Sequence, residues 1–345
     1  MSARSLQIVA LSLIAAALVA YLAYSAASLL TRPPAARTDS SVLFTVQPGD
    51  TLSEIAARLQ EEDLIISDLV FRLALERRGS VHSLQPGQYV LRPSMSMDQV
   101  IDELQRGQVA DRVVTVIEGW RGEQVAEQLE ALGAFSGADF LEIIGSGPDQ
   151  FPHDFLPDMA TANSLEGYLF PDTYFVGAQT TPREFVRAML DRFGQVYGVQ
   201  ERQAAAAAGL SDHEVVILAS IVEREAQLED ERAVIASVYL NRLEQGMPLQ
   251  ADPTVQFAVS DGAELGWWKD PLTLSDLQSD SPYNTYRNAG LPPGPIANPG
   301  AASIRAVLEP AETEYLFFVA RGDGSHAFSE TYEEHQQNVA RFQSG

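Results

Sequence analysis

The sequence predicts an α+β protein with a single N-terminal transmembrane helix, a small β-α module and a larger mixed α/β domain. Three observations lead to this prediction. A long uncharged apolar run opens the chain, two later segments share a strand–turn–helix pattern, and the second half combines buried-helix patterns with loops rich in Pro and Gly. At about 150 residues per domain, a chain of 345 residues is expected to hold two domains.

Residues 1–30 are predicted to form a short cytoplasmic tip and a transmembrane anchor. No charged residue occurs from position 6 to position 30, where Leu, Ile, Val and Ala dominate. A helix of that length crosses a hydrocarbon core of about 30 Å. The alternative is a cleaved signal peptide, because Ser25-Ala26-Ala27 is an acceptable small-residue cleavage site. Residues 31–41, rich in Pro, Ala and polar side chains, are predicted to form a tether.

The composition excludes several classes of function. The chain carries 47 Asp and Glu against 23 Lys and Arg, for a formal net charge of −24. Because so acidic a protein repels phosphate backbones, nucleic acid is not expected as a partner. The chain has no Cys, which excludes disulfides, thiol nucleophiles and Fe–S clusters. The five His are scattered and form no HExxH pair, so neither a metal nor another cofactor is expected.

Residues 42–111 are assigned to the small module. The segment FTV at 44–46 predicts a strand, the following PGD a turn, and Thr51 the N-cap of a helix that runs to about Gln60. The segments FTVQPGDTLSEIA at 44–56 and LQPGQY at 84–89 resemble the opening and closing parts of LysM domains, which bind glycans that contain N-acetylglucosamine. This LysM-like character implies contact with glycan or cell wall, and a purely structural role is the alternative.

A second strand–turn–helix pattern begins at Val114 and runs through Leu132, with Gly119 at the position that Gly49 holds in the first. A generic strand–Gly turn–helix looks the same, so the pair alone does not establish a repeat. We assign this second pattern to the larger domain, residues 112–345.

A predicted helix at residues 212–226 places a glutamate among apolar side chains. At 100° per residue, Glu225 projects from the main apolar stripe, whereas Glu223 points elsewhere. A carboxyl among aliphatic groups has a raised pKa, which suits proton donation. The alternative is that the helix ends near Arg224 and that Glu225 is solvated or paired with an Arg. The stripe consists of Val215, Leu218, Ile221 and Val222.

Five segments of the second half together resemble the YceG-like family of endolytic murein transglycosylases. With the apolar N-terminus and the LysM-like segment, the resemblance covers essentially the whole chain in order. In that family the catalytic acid is the second Glu of the motif Ala-Ser-Ile-x-Glu-x-Glu, which implies Glu225 here. The five segments are EGYLFPDTY at 166–174, LASIVERE at 218–225, NRL at 241–243 through DPT at 252–254, YNTY at 283–286 and GLPPGPIANPG at 290–300.

The resemblance implies a membrane-anchored enzyme that cuts MurNAc–GlcNAc bonds within nascent peptidoglycan strands and leaves 1,6-anhydroMurNAc ends. One carboxyl acts first as acid and then as base, so no metal or second nucleophile is needed. The resemblance also implies an extracytoplasmic catalytic domain at the inner membrane, beside peptidoglycan synthases. Candidates for stabilising the oxocarbenium-like charge or binding substrate are Asp172, Gln250, Asp252, Tyr283 and Asn284.

Two other functions are compatible with the same residues. A muramidase that uses water would need a second carboxylate, and Asp252 or Glu166 could supply it. A non-catalytic wall-binding or synthase-scaffolding protein would need no acid at Glu225.

Overall fold

The computed structural model describes residues 31–34, 41–47, 49–79, 84–106, 112–158, 162, 164–177, 180–262 and 266–343. The anchor predicted at 1–30 and residues 35–40 of the predicted tether lie outside these ranges. Among the described residues, no single helix has the length and hydropathy needed to cross a membrane. The consecutive helices Val199–Ala207 and Asp212–Glu225 meet those requirements only when taken together, and they are bent by 93°.

The chain divides into two compact units. The first comprises Met1–Val113 with Thr173–Ala178, and the second comprises Val114–Asp172 with Gln179–Gly345. The segment Thr173–Ala178 therefore groups with the first unit, although the sequence predicted one continuous domain from residue 112 onward.

The first unit pairs two strands and packs helices on them. Strand β1 runs antiparallel to β2, with Val42 opposite Leu91 and Val46 opposite Gly87. Thr51 caps the first helix as predicted, because its side chain and that of Glu54 form a reciprocal capping box. The elements in chain order are β1 (Val42–Val46), α1 (Leu52–Glu61), α2 (Asp68–Arg77), β2 (Gly87–Leu91) and α3 (Met97–Arg106).

Two further strands, β3 (Arg112–Thr115) and β4 (Thr173–Val176), form a two-stranded sheet. The strand predicted at Val114 is therefore present, and it begins two residues earlier than the pattern suggested.

The second unit is mostly helical. Its two C-terminal strands pair antiparallel, with Phe317 opposite Ser329. In chain order the elements are α4 (Gly122–Ala131), α5 (Gly137–Gly145), α6 (Pro182–Val196), α7 (Val199–Ala207), α8 (Asp212–Glu225), α9 (Arg232–Glu244), α10 (Asp252–Val259), α11 (Ala301–Leu308), β5 (Phe317–Ala320), β6 (His326–Ser329) and α12 (Tyr332–Phe342).

Helix α8 is the centre of the second unit. Ser211 caps it through a capping box with Glu214, and every residue from Val215 to Val222 is buried. The sequence predicted one apolar stripe, whereas α7, α9, α10 and α11 pack against this helix and cover all its sides. The position of its last turn is therefore set by its neighbours.

Asn298 joins three separated segments of the second unit. Its Oδ1 accepts hydrogen bonds from the backbone N–H of Gly167 (2.9 Å) and Leu169 (3.0 Å). Its Nδ2 donates to the carbonyl of Trp120 and to Oε1 of Glu166, each at 2.9 Å. Since Asn298 is fully buried, no water replaces these partners if the side chain is removed.

Replacing Asn298 with Ala should lower the free energy of unfolding by about 3 kcal/mol, because several buried polar groups lose their partner at once. Chemical denaturation measures this change. Asn288 is the matched control, since its amide also donates two bonds, to Ser281 and Asn284, but the residue is exposed. Asn288→Ala should cost about 1 kcal/mol or less. Equal costs for the two variants would contradict the role assigned to Asn298.

Candidate active site

Glu225 is the last residue of α8, and its carboxyl is partly buried. Its Oε1 accepts a hydrogen bond of 2.6 Å from the hydroxyl of Tyr239 on α9. The pKa of Glu225 is raised to about 7, mainly by burial and also by the charge of Asp252, against the opposing effects of the Tyr239 bond and of Arg242 and Arg224. The carboxyl is therefore only partly exposed and is not paired directly with an Arg, whereas the sequence left open a fully solvated or Arg-paired Glu225.

Tyr239 and Arg242 reach the site from one face of α9. The Tyr239 ring is buried and packs edge-on to Phe318 with 5.9 Å between centroids. Burial raises the pKa of Tyr239 well above its usual value, so the phenol keeps its proton and acts as a donor. Nε of Arg242 donates to the Leu316 carbonyl (2.6 Å) and its Nη1 to the Leu249 carbonyl (2.7 Å). Arg242 thus ties the chain before α10 to that before β5.

Two loops that are distant in sequence meet beside Glu225. The Tyr286 hydroxyl donates to Oδ1 of Asp252 at 2.6 Å. Thr285 binds the chain just before α10, because its carbonyl accepts from Gln250 N (3.2 Å) and its Oγ1 accepts from Ala251 N (3.0 Å). The motifs DPT and YNTY therefore form one surface, and the charge of Asp252 reaches Glu225 from it.

The carboxylate of Glu223, unlike that of Glu225, binds other parts of the protein through both of its oxygens. Its side chain is 6% exposed, its Oε1 pairs with Arg232 at 3.4 Å, and its Oε2 accepts from Gly300 N at 3.0 Å. Gly300 is the N-cap of α11, where a carboxylate stabilises the exposed N–H groups. A Cβ at Gly300 would lie 1.9 Å from Oε1 of Glu118, so a larger residue there would displace the Glu118 side chain. Both oxygens of Glu223 are thus engaged.

The other predicted site residues lie in different settings. Gln250 is exposed and has a positive φ of 48°. The ring of Tyr283 packs against Phe257, with 4.8 Å between centroids. Gln250, Tyr283 and the exposed Asp252 carry side chains that a ligand can reach, so their predicted contact with substrate stays a prediction.

Asp172 and Asn284 have side chains that bind the protein itself. Oδ2 of Asp172 is 2.7 Å from Nε of Arg192 in a buried ion pair. Nδ2 of Asn284 donates to the carbonyls of Leu277 (3.0 Å) and Ser279 (2.9 Å), and Asn284 is fully buried. These interactions give both residues a role in holding the fold. Their placement adds no support for the predicted role in binding substrate or stabilising the oxocarbenium-like charge, which stays a prediction.

An arginine–aromatic cluster, which sequence reasoning missed, lies next to the helix end that carries Glu225. It consists of Arg121, Arg224, Phe257, Trp267 and Trp268. The Arg224 guanidinium lies 4.0 Å from the ring centroid of Trp268, and the Arg121 guanidinium lies 4.2 Å from that of Phe257. Cation–π contacts of this kind help to hold both guanidinium groups in place, and Arg121 also pairs with Glu123 at 3.2 Å. The adjacent Trp pair in the sequence was the available signal.

Glu166 is a second carboxyl with a raised pKa. Burial raises the pKa of Glu166 to about 8, and the nearby charge of Glu123 contributes. Its Oε2 accepts from Gly122 N at 2.8 Å and its Oε1 from Asn298 at 2.9 Å. Both oxygens therefore hold the fold together, and Asp252 is the carboxylate whose charge acts on Glu225. Within the described part of the chain, no three His, Asp or Glu side chains are grouped so that they could hold a metal ion.

Known proteins are similar to this chain over most of its length. Residues 44–341 match the profile of the YceG-like family. The chain belongs to that family. The resemblance read from the five sequence segments is thereby confirmed.

Two relatives and one structure illustrate the similarity. The endolytic murein transglycosylase of Bacillus subtilis is 33% identical over 327 residues, which cover 91% of this chain and 88% of the relative. That of Streptococcus pneumoniae is 29% identical over 331 residues, 89% of this chain but 59% of the longer relative. A crystal structure of a YceG-like protein from Listeria monocytogenes has a TM-score of 0.59 at 32% identity, and it covers 86% of this chain and 99% of the other.

The raised pKa in this YceG-like protein predicts a pH-dependent stability difference. Since the pKa of Glu225 is about 7 in the folded state against an ordinary 4.5, the folded protein holds a proton that the unfolded chain releases. The contribution of Glu225 to stability therefore falls as the pH rises from about 4.5 to 7. Glu225→Gln should raise the free energy of unfolding by about 2 kcal/mol at pH 8 and leave it nearly unchanged at pH 4.

Denaturant titrations at the two pH values test this prediction. Glu223→Gln is the control on the same helix, and it should lower stability at pH 8 because Arg232 loses its ionised partner. A wild-type protein that is as stable at pH 8 as Glu225→Gln would show that the Glu225 carboxyl is not desolvated.

Proposed function

We propose that this chain is a peptidoglycan lytic transglycosylase in which Glu225 is both the general acid and the general base. The observation that carries the proposal is the setting of Glu225, a carboxyl at the end of a buried helix with a pKa of about 7 and one oxygen held by Tyr239. Membership of the YceG-like family and relatives named endolytic murein transglycosylase support the reaction class.

The proposed reaction consumes no water. Protonated Glu225 donates its proton to the oxygen of the MurNAc–GlcNAc bond as the bond from that oxygen to the anomeric carbon breaks. The resulting carboxylate takes the proton of the muramic acid 6-hydroxyl while that oxygen bonds to the same carbon. The products are a free 4-hydroxyl on GlcNAc and a 1,6-anhydroMurNAc end, and Glu225 is protonated again.

The charges around Glu225 suit both halves of this reaction. Burial and the Asp252 carboxylate favour the protonated acid. The Tyr239 hydroxyl and the guanidinium groups of Arg242 and Arg224 favour the carboxylate that exists between the two steps. A pKa near the working pH lets one group serve as acid and base at little cost to either role.

We further propose that residues 1–30 anchor the chain in the inner membrane and that the catalytic unit lies on the extracytoplasmic side. A tether as short as 31–41 would keep the site close to newly made strands, so that internal cuts end their elongation beside the synthases. The LysM-like residues 42–111 would contribute contact with glycan. These proposals rest on the uncharged N-terminal run and the sequence motifs.

The full-length protein in detergent micelles should convert purified glycan strands into shorter strands with 1,6-anhydroMurNAc ends, as measured by mass spectrometry. Internal cleavage predicts intermediate-length fragments before disaccharides accumulate. Glu225→Gln should lower the rate by about 1,000-fold, because the acid and base are removed together. Glu223→Gln, its control, should retain activity in the folded fraction.

Other outcomes would select the alternatives. Products with reducing MurNAc ends, heavier by one water, would identify a muramidase that uses Asp252 with Glu225. Equal strand shortening by wild type and Glu225→Gln would reject catalysis at Glu225. No shortening by either protein would reject the enzyme and favour a wall-binding scaffold.

A further inference from the structure

The two oxygens of the Glu225 carboxyl are not equivalent. Oε1 accepts the Tyr239 hydroxyl at 2.6 Å. Oε2 accepts no hydrogen bond from any described residue, and it is not fully enclosed by the protein, in keeping with the partial exposure of Glu225. A substrate oxygen can therefore approach Oε2, whereas Tyr239 occupies the approach to Oε1.

We propose that Tyr239 is a positioning residue that keeps the exchangeable proton of Glu225 on Oε2. The inference deepens the proposed function and rests on it, because it concerns which oxygen of the same acid performs the transfer. A protonated carboxyl has one O–H donor and one carbonyl acceptor. With Tyr239 donating to Oε1, that oxygen is the carbonyl and the proton lies on Oε2, toward the open side.

Tyr239 can keep this role through the whole cycle because it does not change its own protonation state. Its ring is 1% exposed and rests on Phe318. Burial, together with the Glu225 charge, keeps the pKa of Tyr239 far above the working range. The hydroxyl therefore donates to Oε1 in both the acid and the carboxylate states, with a stronger bond to the carboxylate.

The other charged groups near Glu225 come from the elements packed against α8. Arg242 lies on α9, Asp252 begins α10, and Arg224 is on α8 itself. Tyr286 acts through its bond to Asp252. Arg242 and Arg224 each lower the pKa of Glu225 through their charge alone, and the structure shows neither in a hydrogen bond to its carboxyl.

The charged residues of α7 and α11 have other partners or face solvent. On α7, Arg202 pairs with Asp154 at 3.0 Å and Glu201 accepts from Gly198 N at 3.0 Å. On α11, Arg305 is exposed. Tyr239 is thus the group that distinguishes Oε1 from Oε2.

Tyr239→Phe keeps the buried ring and removes only the hydroxyl. It should raise the pKa of Glu225, because the carboxylate loses a donor, and so move the basic limb of the pH–rate profile up by about one unit. The maximal kcat for forming anhydroMurNAc ends should fall about tenfold: sharing of the proton between Oε1 and Oε2 accounts for about twofold, and the lost hydrogen bond to the carboxylate formed on proton donation accounts for the rest. KM should stay within about twofold, because the hydroxyl makes no contact with substrate in this proposal.

Tyr197→Phe is the matched control. Tyr197 is equally buried, and its hydroxyl donates to Oδ1 of Asp212 at 2.8 Å at the opposite end of α8. It should lower the melting temperature as much as Tyr239→Phe while leaving the pH profile of the wild type. Asp252→Asn should move the basic limb in the opposite direction, to lower pH, because its charge raises the pKa of Glu225.

The inference and the proposed function can fail separately. The Glu225 carboxyl carbon, labelled with ¹³C and assigned by its absence in Glu225→Gln, can be titrated by NMR without substrate. An unchanged pKa in Tyr239→Phe, or a kcat equal to that of Tyr197→Phe, would overturn the positioning role. If wild type instead forms no anhydroMurNAc ends, the proposed reaction is wrong, and the NMR titration still decides whether Tyr239 controls the proton.

Discussion

At the Glu225 carboxyl, burial favours the protonated acid, whereas one hydrogen-bond donor and two cations favour the ionised carboxylate. Burial outweighs the groups that favour the carboxylate but does not cancel them, so the pKa is raised from 4.5 to about 7. Loss of burial would return Glu225 to an ordinary carboxylate, and loss of Tyr239 or Arg242 would leave it protonated too firmly. The proposed proton donation and proton removal by this one group depend on this balance, which makes the packing around the end of α8 the central constraint on the second unit.

That packing is maintained by polar side chains whose hydrogen bonds join separate segments of the second unit. Asn298 satisfies four separate groups. Arg242 holds the chain ahead of both α10 and β5 through carbonyl oxygens. Thr285 joins the loop that carries Asp252 to the one that carries Tyr286. Because buried hydrogen bonds are directional and costly to break, they fix loops that have little regular secondary structure.

A raised pKa does not by itself identify the catalytic group. Glu166 has a pKa of about 8, higher than that of Glu225, yet both its oxygens bind the protein. The Glu223 side chain is also largely buried, and its carboxylate accepts a hydrogen bond from the N-cap of α11. What separates Glu225 from these neighbours is an oxygen that remains available to a ligand. Desolvation creates the tendency to hold a proton, but access decides whether that proton can be used.

The sequence by itself determined those features that depend on residues close together in the chain, namely helix caps and helical periodicity. The cap at Thr51, the helix at 212–225 and the choice of Glu225 over Glu223 follow from side chains within a few residues of one another. Only the tertiary structure decided that Tyr239 reaches Glu225, that Asp252 acts on it, and that Asp172 and Asn284 serve the fold. Tyr239 and Asp252 are 14 or more positions from Glu225, and their placement beside it depends on how helices pack, which the periodicity of a single segment does not specify.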